Sequence, residues 1–137
     1  MLKWMMLAAM VVGMLGSLGG CTTSRLAHAT PEELREVDDK TLVNTFTRMR
    51  AYSDGDGTVL DEMARRFEWT DREVQDIRDS TIRRGYHRYQ VFAALGPASQ
   101  GGGKRTSALG STETIRFGSL YVTLYNDEVQ SWTEVYY

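Results

Sequence analysis

Asp54-Gly55-Asp56-Gly57-Thr58-Val59 sets carboxylates among glycines in the manner of a calcium loop. An EF-hand needs carboxylates at loop positions 1, 3 and 5, glycine at 6 and a bidentate glutamate at 12. With Gly57 at position 6, Tyr52 falls at 1 and Met63 at 12, leaving Glu62 one residue short. Both end ligands are missing, and the segment reads as a turn between helices. Gly101-Gly102-Gly103-Lys104-Arg105-Thr106 has the residue types of a phosphate loop. That loop requires Gly-Lys-Ser/Thr at a fixed distance from its first glycine, between a strand and a helix, and here spacing and context both fail. His28 and His87 have no neighbouring histidine or cysteine with which to share a metal. His87 reads as a helix-start residue. Serine, histidine and aspartate occur without nucleophile-elbow spacing. No catalytic residue, metal or cofactor is expected, and the reading is non-enzymatic.

Cys21 is the one residue with a distinct chemistry, and it is the single cysteine of the chain. Met1-Leu2-Lys3 is a short basic start, and residues 4–24 carry no charge, with Trp4, Met5, Met6, Leu7, Met10, Val11, Val12, Met14, Leu15 and Leu18 as the apolar mass. This pattern is that of an export signal, because Gly13, Gly16, Gly19 and Gly20 dilute the run below what a membrane-spanning helix needs. Leu18-Gly19-Gly20-Cys21 resembles a bacterial lipobox, with an apolar residue at −3, small residues at −2 and −1, and cysteine at +1. Small residues give a signal peptidase access to the bond, and the thiol takes a diacylglycerol group. Residues 1–20 are thus expected to be a lipoprotein signal peptide and 21–29 a lipidated tether. Several acyl chains anchor stably, at about 0.8 kcal/mol per buried CH₂. Thr22 is not aspartate, which in enteric-type lipoproteins implies passage to the outer membrane.

The chain has 137 residues, 42% hydrophobic and 25% charged, with 16 basic and 18 acidic side chains. That composition suits one ordinary globular domain and excludes both a basic nucleic-acid binder and an acidic disordered tail. A lone cysteine excludes an internal disulfide. Loss of Lys3 with the leader would make the formal charge one unit more negative than −2, so attraction to an anionic surface is weak.

Two kinds of pattern follow the tether. Residues 30–80 form a helical extension. Thr30-Pro31-Glu32-Glu33 is a capping box with proline at the first helical position. Asp38 or Asp39 caps a helix with Leu42, Val43, Phe46 and Met49 on one side; Val59, Leu60, Met63, Ala64 and Phe67 form another; Thr70-Asp71-Arg72-Glu73 opens a third. Residues 81–137 read as a helix and a three-stranded antiparallel sheet. Residues 96–111 hold five glycines and three serines and predict no regular element. Strands are expected over Thr114–Phe117, Leu120–Tyr125 and Val129–Tyr136, joined at Gly118-Ser119 and Asn126-Asp127. The fold class is α+β, with helices packed on the sheet in two layers.

Plain alternation puts Tyr121, Tyr125, Trp132 and Tyr136 on one face of that sheet. Such a face is either core under the helices or a docking surface, and Arg83, Arg84 and Arg88 are the basic residues expected to adjoin it. Basic doublets are otherwise ordinary solvated residues.

Ile82, Gly85, Val91 and the pair Leu95-Gly96 carry a resemblance to the BamE/SmpA/OmlA-like family of small outer-membrane lipoproteins. In that family an isoleucine stands three residues before a glycine, and a helix places valine and leucine-glycine six, ten and eleven residues after it. Tyr86 and His87 stand where the family usually has methionine and then serine or threonine, and Pro97 directly follows Gly96. The resemblance covers residues 82–137. It implies a lipid-anchored protein at the periplasmic face of the outer membrane, accessory to β-barrel protein assembly or to envelope integrity, with a protein partner and no nucleic acid. The alternative is a stand-alone periplasm-facing lipoprotein that binds a soluble ligand or inhibits an enzyme.

Overall fold

The computed structural model describes residues 26, 28–52 and 57–136. Among the described residues five helices precede four strands: α1 (Pro31–Arg35), α2 (Asp39–Tyr52), α3 (Thr58–Phe67), α4 (Asp71–Arg78), α5 (Arg88–Leu95), β1 (Lys104–Ser107), β2 (Gly110–Phe117), β3 (Leu120–Tyr125) and β4 (Glu128–Glu134). The class is α+β, as the residue patterns predict.

The helix starts follow from local hydrogen bonding. The Thr30 hydroxyl accepts from the Glu33 N–H, and the Glu33 carboxylate accepts from the Thr30 N–H, at 3.3 and 2.9 Å. Thr70 and Glu73 repeat the arrangement at 3.2 and 2.7 Å. The Asp38 carboxylate accepts from the Thr41 N–H at 2.9 Å, which fixes the entry of α2. His87 caps α5: its Nδ1 accepts from the Tyr89 N–H at 3.2 Å while Gln90 Oε1 accepts from the His87 N–H at 2.8 Å. Each device satisfies amides that a helix start leaves without internal partners.

The helices pack on one another, and α5 joins their buried residues to one face of the sheet in a single core. Leu42, Met63, Ile77, Val91, Ile115 and Val122 are fully buried, each worth roughly 1.5–3 kcal/mol. Residues of 34–77 and of 82–129 belong to the same core cluster, so the helical extension and the sheet share one interior. Phe92 of α5 meets Phe117 of β2 edge to face, with ring centroids 5.5 Å apart.

A charge sits inside the helical layer. Glu62 of α3, 6% exposed, accepts from Arg65 at 2.8 and 3.0 Å and from Arg66 at 2.9 Å. Arg66 also donates to the Leu34 carbonyl at 2.6 Å and to Asp39 at 2.9 Å. It thereby ties the C-terminal end of α1 and the start of α2 to α3. The hydrogen bond from Arg65, with that from Arg66, holds the Glu62 carboxyl at about 2 against the opposing effect of burial.

The sheet is antiparallel, in the order β1-β2-β3-β4. It has four strands where three were expected. The extra strand, β1, lies in the glycine-rich stretch assigned no regular element: Lys104 pairs with Glu113 and Ser107 with Gly110 across a turn at Ala108-Leu109. All four of its residues are exposed, so it lacks the apolar alternation by which strands are read. The pairing continues beyond an irregularity, since Gln100 bridges Arg116. Gly102 crosses there because a Cβ at that position would lie 1.1 Å from the Thr114 carbonyl oxygen.

The second correction concerns the faces of β4. Tyr125 pairs with Glu128 and Leu124 with Val129, but Thr123 then pairs with Ser131 and Val122 with Trp132. One residue is extra on β4, a β-bulge, and it reverses the side on which every later residue stands. Trp132 therefore shares the helix-covered face with Val122 and Ile115, not the face of Tyr121 and Tyr125. The four aromatics expected on one face are divided. The helices cover the aliphatic face, and the face of Thr112, Thr114, Arg116, Tyr121, Thr123 and Tyr125 has none of them against it.

Candidate docking edge and aromatic groove

Leu18, Gly19, Gly20 and Cys21, the lipobox residues, lie outside the described residues, as does the Asp54 to Asp56 part of the calcium-like segment. Among the described residues no helix is long and apolar enough to cross a membrane, and no group of three or more His, Cys, Asp or Glu could hold a metal ion.

Tyr121 and Tyr125 lie on the uncovered sheet face. Arg116 stacks over the Tyr121 ring at 5.6 Å, and the Tyr125 hydroxyl donates to the Leu109 carbonyl. Thr114 and Thr123 share a hydroxyl hydrogen bond at 3.2 Å beside them. This face is flat and polar, as a solvated antiparallel face is. Tyr136 follows β4, is 82% exposed and donates to Glu134 at 2.7 Å. Trp132 is 43% exposed at the sheet's margin on the helix side.

The three arginines do not form one patch. Arg83 donates to Asp76 at 2.6 and 3.1 Å, and the Tyr86 hydroxyl donates to the same carboxylate. The hydrogen bond from Arg83, then that from Tyr86, holds Asp76 at about 2, while burial and then the Asp76 contact push the Tyr86 hydroxyl above its ordinary value. Arg88 pairs with Glu113 and lies over the Phe92 ring at 5.3 Å. Of these three, Arg84 is the one that is exposed and has no ion pair among the described residues.

The sheet leaves backbone groups open at two edges among the described residues, the short β1 and the longer β4. At its start β4 is covered: Gly85 N–H donates to the Val129 carbonyl at 2.9 Å, Val129 N–H to Tyr86 at 2.8 Å, and Arg88 N–H to Asp127 at 2.7 Å. The chain reaches this edge through a turn closed by Tyr86 N–H and the Arg83 carbonyl, with Gly85 at φ +86°. Beyond Val129 the outer side of β4 has no backbone partner through Glu134 among the described residues. Such an edge is a template for a further strand, and Trp132 stands at its middle.

A second feature was not legible in the sequence. Phe67 ends α3, Glu68 takes a left-handed conformation at φ +54°, and Trp69 then folds back with its N–H on the Ala64 carbonyl at 3.0 Å. Phe67 comes to lie 5.3 Å from both Trp69 and Tyr89, and His87 lies 4.9 Å from Tyr89. With Glu68, Glu73 and Gln90 these rings line a groove of about 470 Å³. Glu73 accepts from Thr70 and from Gln90 Nε2, the latter at 3.0 Å, and the Thr70 amide holds its carboxyl below the usual range. Glu68 is exposed and has no side-chain partner among the described residues. The signal available was two aromatics flanking a glutamate just before a capping box, which reads equally as ordinary helix-end packing.

The motif residues of the family resemblance all have structural duties: Ile82 and Val91 are in the core, Gly85 makes the turn and Gly96 caps α5 at φ +83°. Compared with protein-family models, curated proteins and solved structures, the chain matches none.

Proposed function

We propose that this chain is a lipid-anchored, non-enzymatic binding module of a Gram-negative envelope. It sits at the periplasmic face of the outer membrane and is accessory to β-barrel protein assembly or envelope integrity. The observation that carries the reading is Leu18-Gly19-Gly20-Cys21, with the only cysteine of the chain at the acylated position behind a basic and then apolar leader. Cys21 carries the acyl chains, residues 21–29 give reach, and the α+β domain meets a protein partner. The contact is the β4 edge from Gln130 to Glu134, where main-chain groups supply affinity and Trp132 a side-chain anchor. Arg84, exposed beside the turn that covers the start of β4, adds charge there.

A second reading, a stand-alone lipoprotein that binds a soluble ligand, is favoured by one observation, the aromatic groove at Phe67, Trp69 and Tyr89. Cys21→Ala tests the anchor: palmitate labelling and membrane retention are both expected to vanish. Retention with labelling intact would refute it. Cross-linking of the native lipoprotein followed by identification of what co-purifies separates the two readings, since recovery of the barrel-assembly machinery supports the first and recovery of another specific protein, or of none, supports the second.

A further inference from the structure

The groove between α3, α4 and α5 has a composition that selects a ligand by charge. Phe67, Trp69 and Tyr89 give it aromatic walls, and the lining includes two carboxylates, Glu68 and Glu73, and no lysine or arginine. His87 turns its Nδ1 to the Tyr89 N–H as the cap of α5. Glu73 is already fixed by Thr70 and Gln90, whereas Glu68 stands exposed at the rim.

We propose that this groove receives an arginine side chain of a partner polypeptide. Aromatic faces attract a cation through the ring quadrupole, and a guanidinium is the cation that also stacks flat on them. The same fork can then accept Glu68 as its anion, a charge-assisted pair in which both partners are planar. A groove of about 470 Å³ is within the range of sites that hold a ligand. Its two exposed lining residues, Glu68 and His87, leave an open rim, through which a side chain can enter while its backbone stays outside. The assignment does not depend on the lipid anchor and holds for either reading of the protein's role.

The test uses the full-length lipoprotein in detergent micelles and the indole N–H resonance of Trp69, identified by its loss in Trp69→Phe, with that of Trp132 as internal control. Acetyl-Gly-Arg-Gly-amide is expected to shift the Trp69 signal saturably and leave Trp132 in place. The citrulline counterpart, which keeps the shape and loses the charge, is expected to bind at least about tenfold more weakly, and Glu68→Gln, an exposed substitution, to weaken the arginine peptide about fivefold. Choline serves as a free organic cation and is expected to bind more weakly than the arginine peptide. Equal binding of the citrulline peptide, an unmoved Trp69 signal at millimolar peptide, or choline binding as tightly as the arginine peptide would each overturn the proposal.

Discussion

The interior of the helical layer and the outer edge of β4 use the same kinds of residue to opposite ends. Around Glu62 a buried carboxylate is satisfied within the chain: the exposed Arg65 and the largely buried Arg66 supply the donors, and Arg66 goes on to the Leu34 carbonyl and Asp39. Along the outer side of β4 past Val129, backbone groups have no backbone partner among the described residues, and Trp132 is part-exposed beside them. A buried charge without its partner is costly, so the first arrangement is a structural pin. An open edge invites a strand from elsewhere, so the second is where a partner is expected. The difference teaches that a residue's role follows from whether its polar groups are already met by the fold, not from its type.

Breaking the pin has the largest expected effect. Glu62→Gln removes the buried carboxylate shared by Arg65 and Arg66, leaving Arg66 only the exposed Asp39 as its anion, and is expected to cost about 3 kcal/mol in urea unfolding, the usual loss when one member of a buried pair is removed. Sharpening the same point, acid should weaken the helical side selectively. Glu62 and Asp76 both have carboxyls held at about 2 in the folded protein, below their ordinary values of 4.5 and 3.8. Each therefore contributes stability that is complete above its unfolded value and is lost as pH falls from about 4.5 toward 2. Unfolding midpoints between pH 7 and 2.5 should decline through that window, and Glu62→Gln should make the decline shallower. An equal slope in the variant would show that Glu62 is not its source.

Smaller effects are expected away from the pin. Thr70→Ala removes one half of the α4 capping box and should cost about 1 kcal/mol. On the sheet, deletion of Gln130 removes the extra residue opposite Thr123 and Leu124 and should leave Trp132 paired with Val122. Its fluorescence maximum is then expected to shift little. A strong red shift would mean that the deletion turned Trp132 to the uncovered face, as it would if β4 ran without a bulge.

The helix boundaries were legible because capping is local: Thr30 with Glu33, Thr70 with Glu73 and His87 with Gln90 act within four residues. The apolar stripes of α2 and α3 were legible for the same reason. What the residues did not disclose depends on partners distant in the chain. Lys104-Arg105-Thr106-Ser107 becomes a strand only because β2 is there to pair with it, and no apolar alternation marks it. The bulge has no compositional sign, yet it moves Trp132 to the other face and separates it from Tyr121 and Tyr125. Glu62 sits on a helix whose charges resemble a solvated face until Arg66 is seen reaching Leu34. At the candidate sites, Cys21 is proposed from its flanking residues alone and lies outside the described residues, while the groove required the left-handed turn at Glu68 that brings Phe67 and Trp69 against Tyr89.

The central claim, that the assembly partner meets the open β4 edge and not the satisfied surface over the Glu62 pin at the end of α1, is tested most directly by a photo-cross-linking amino acid placed at Thr133 or at Arg35 of the lipoprotein in its native membrane. Thr133 lies on the uncovered part of β4, and Arg35 is exposed at the end of α1. The account predicts a discrete cross-linked protein from position 133 and none from position 35. Cross-linking from 35 with none from 133 would contradict it.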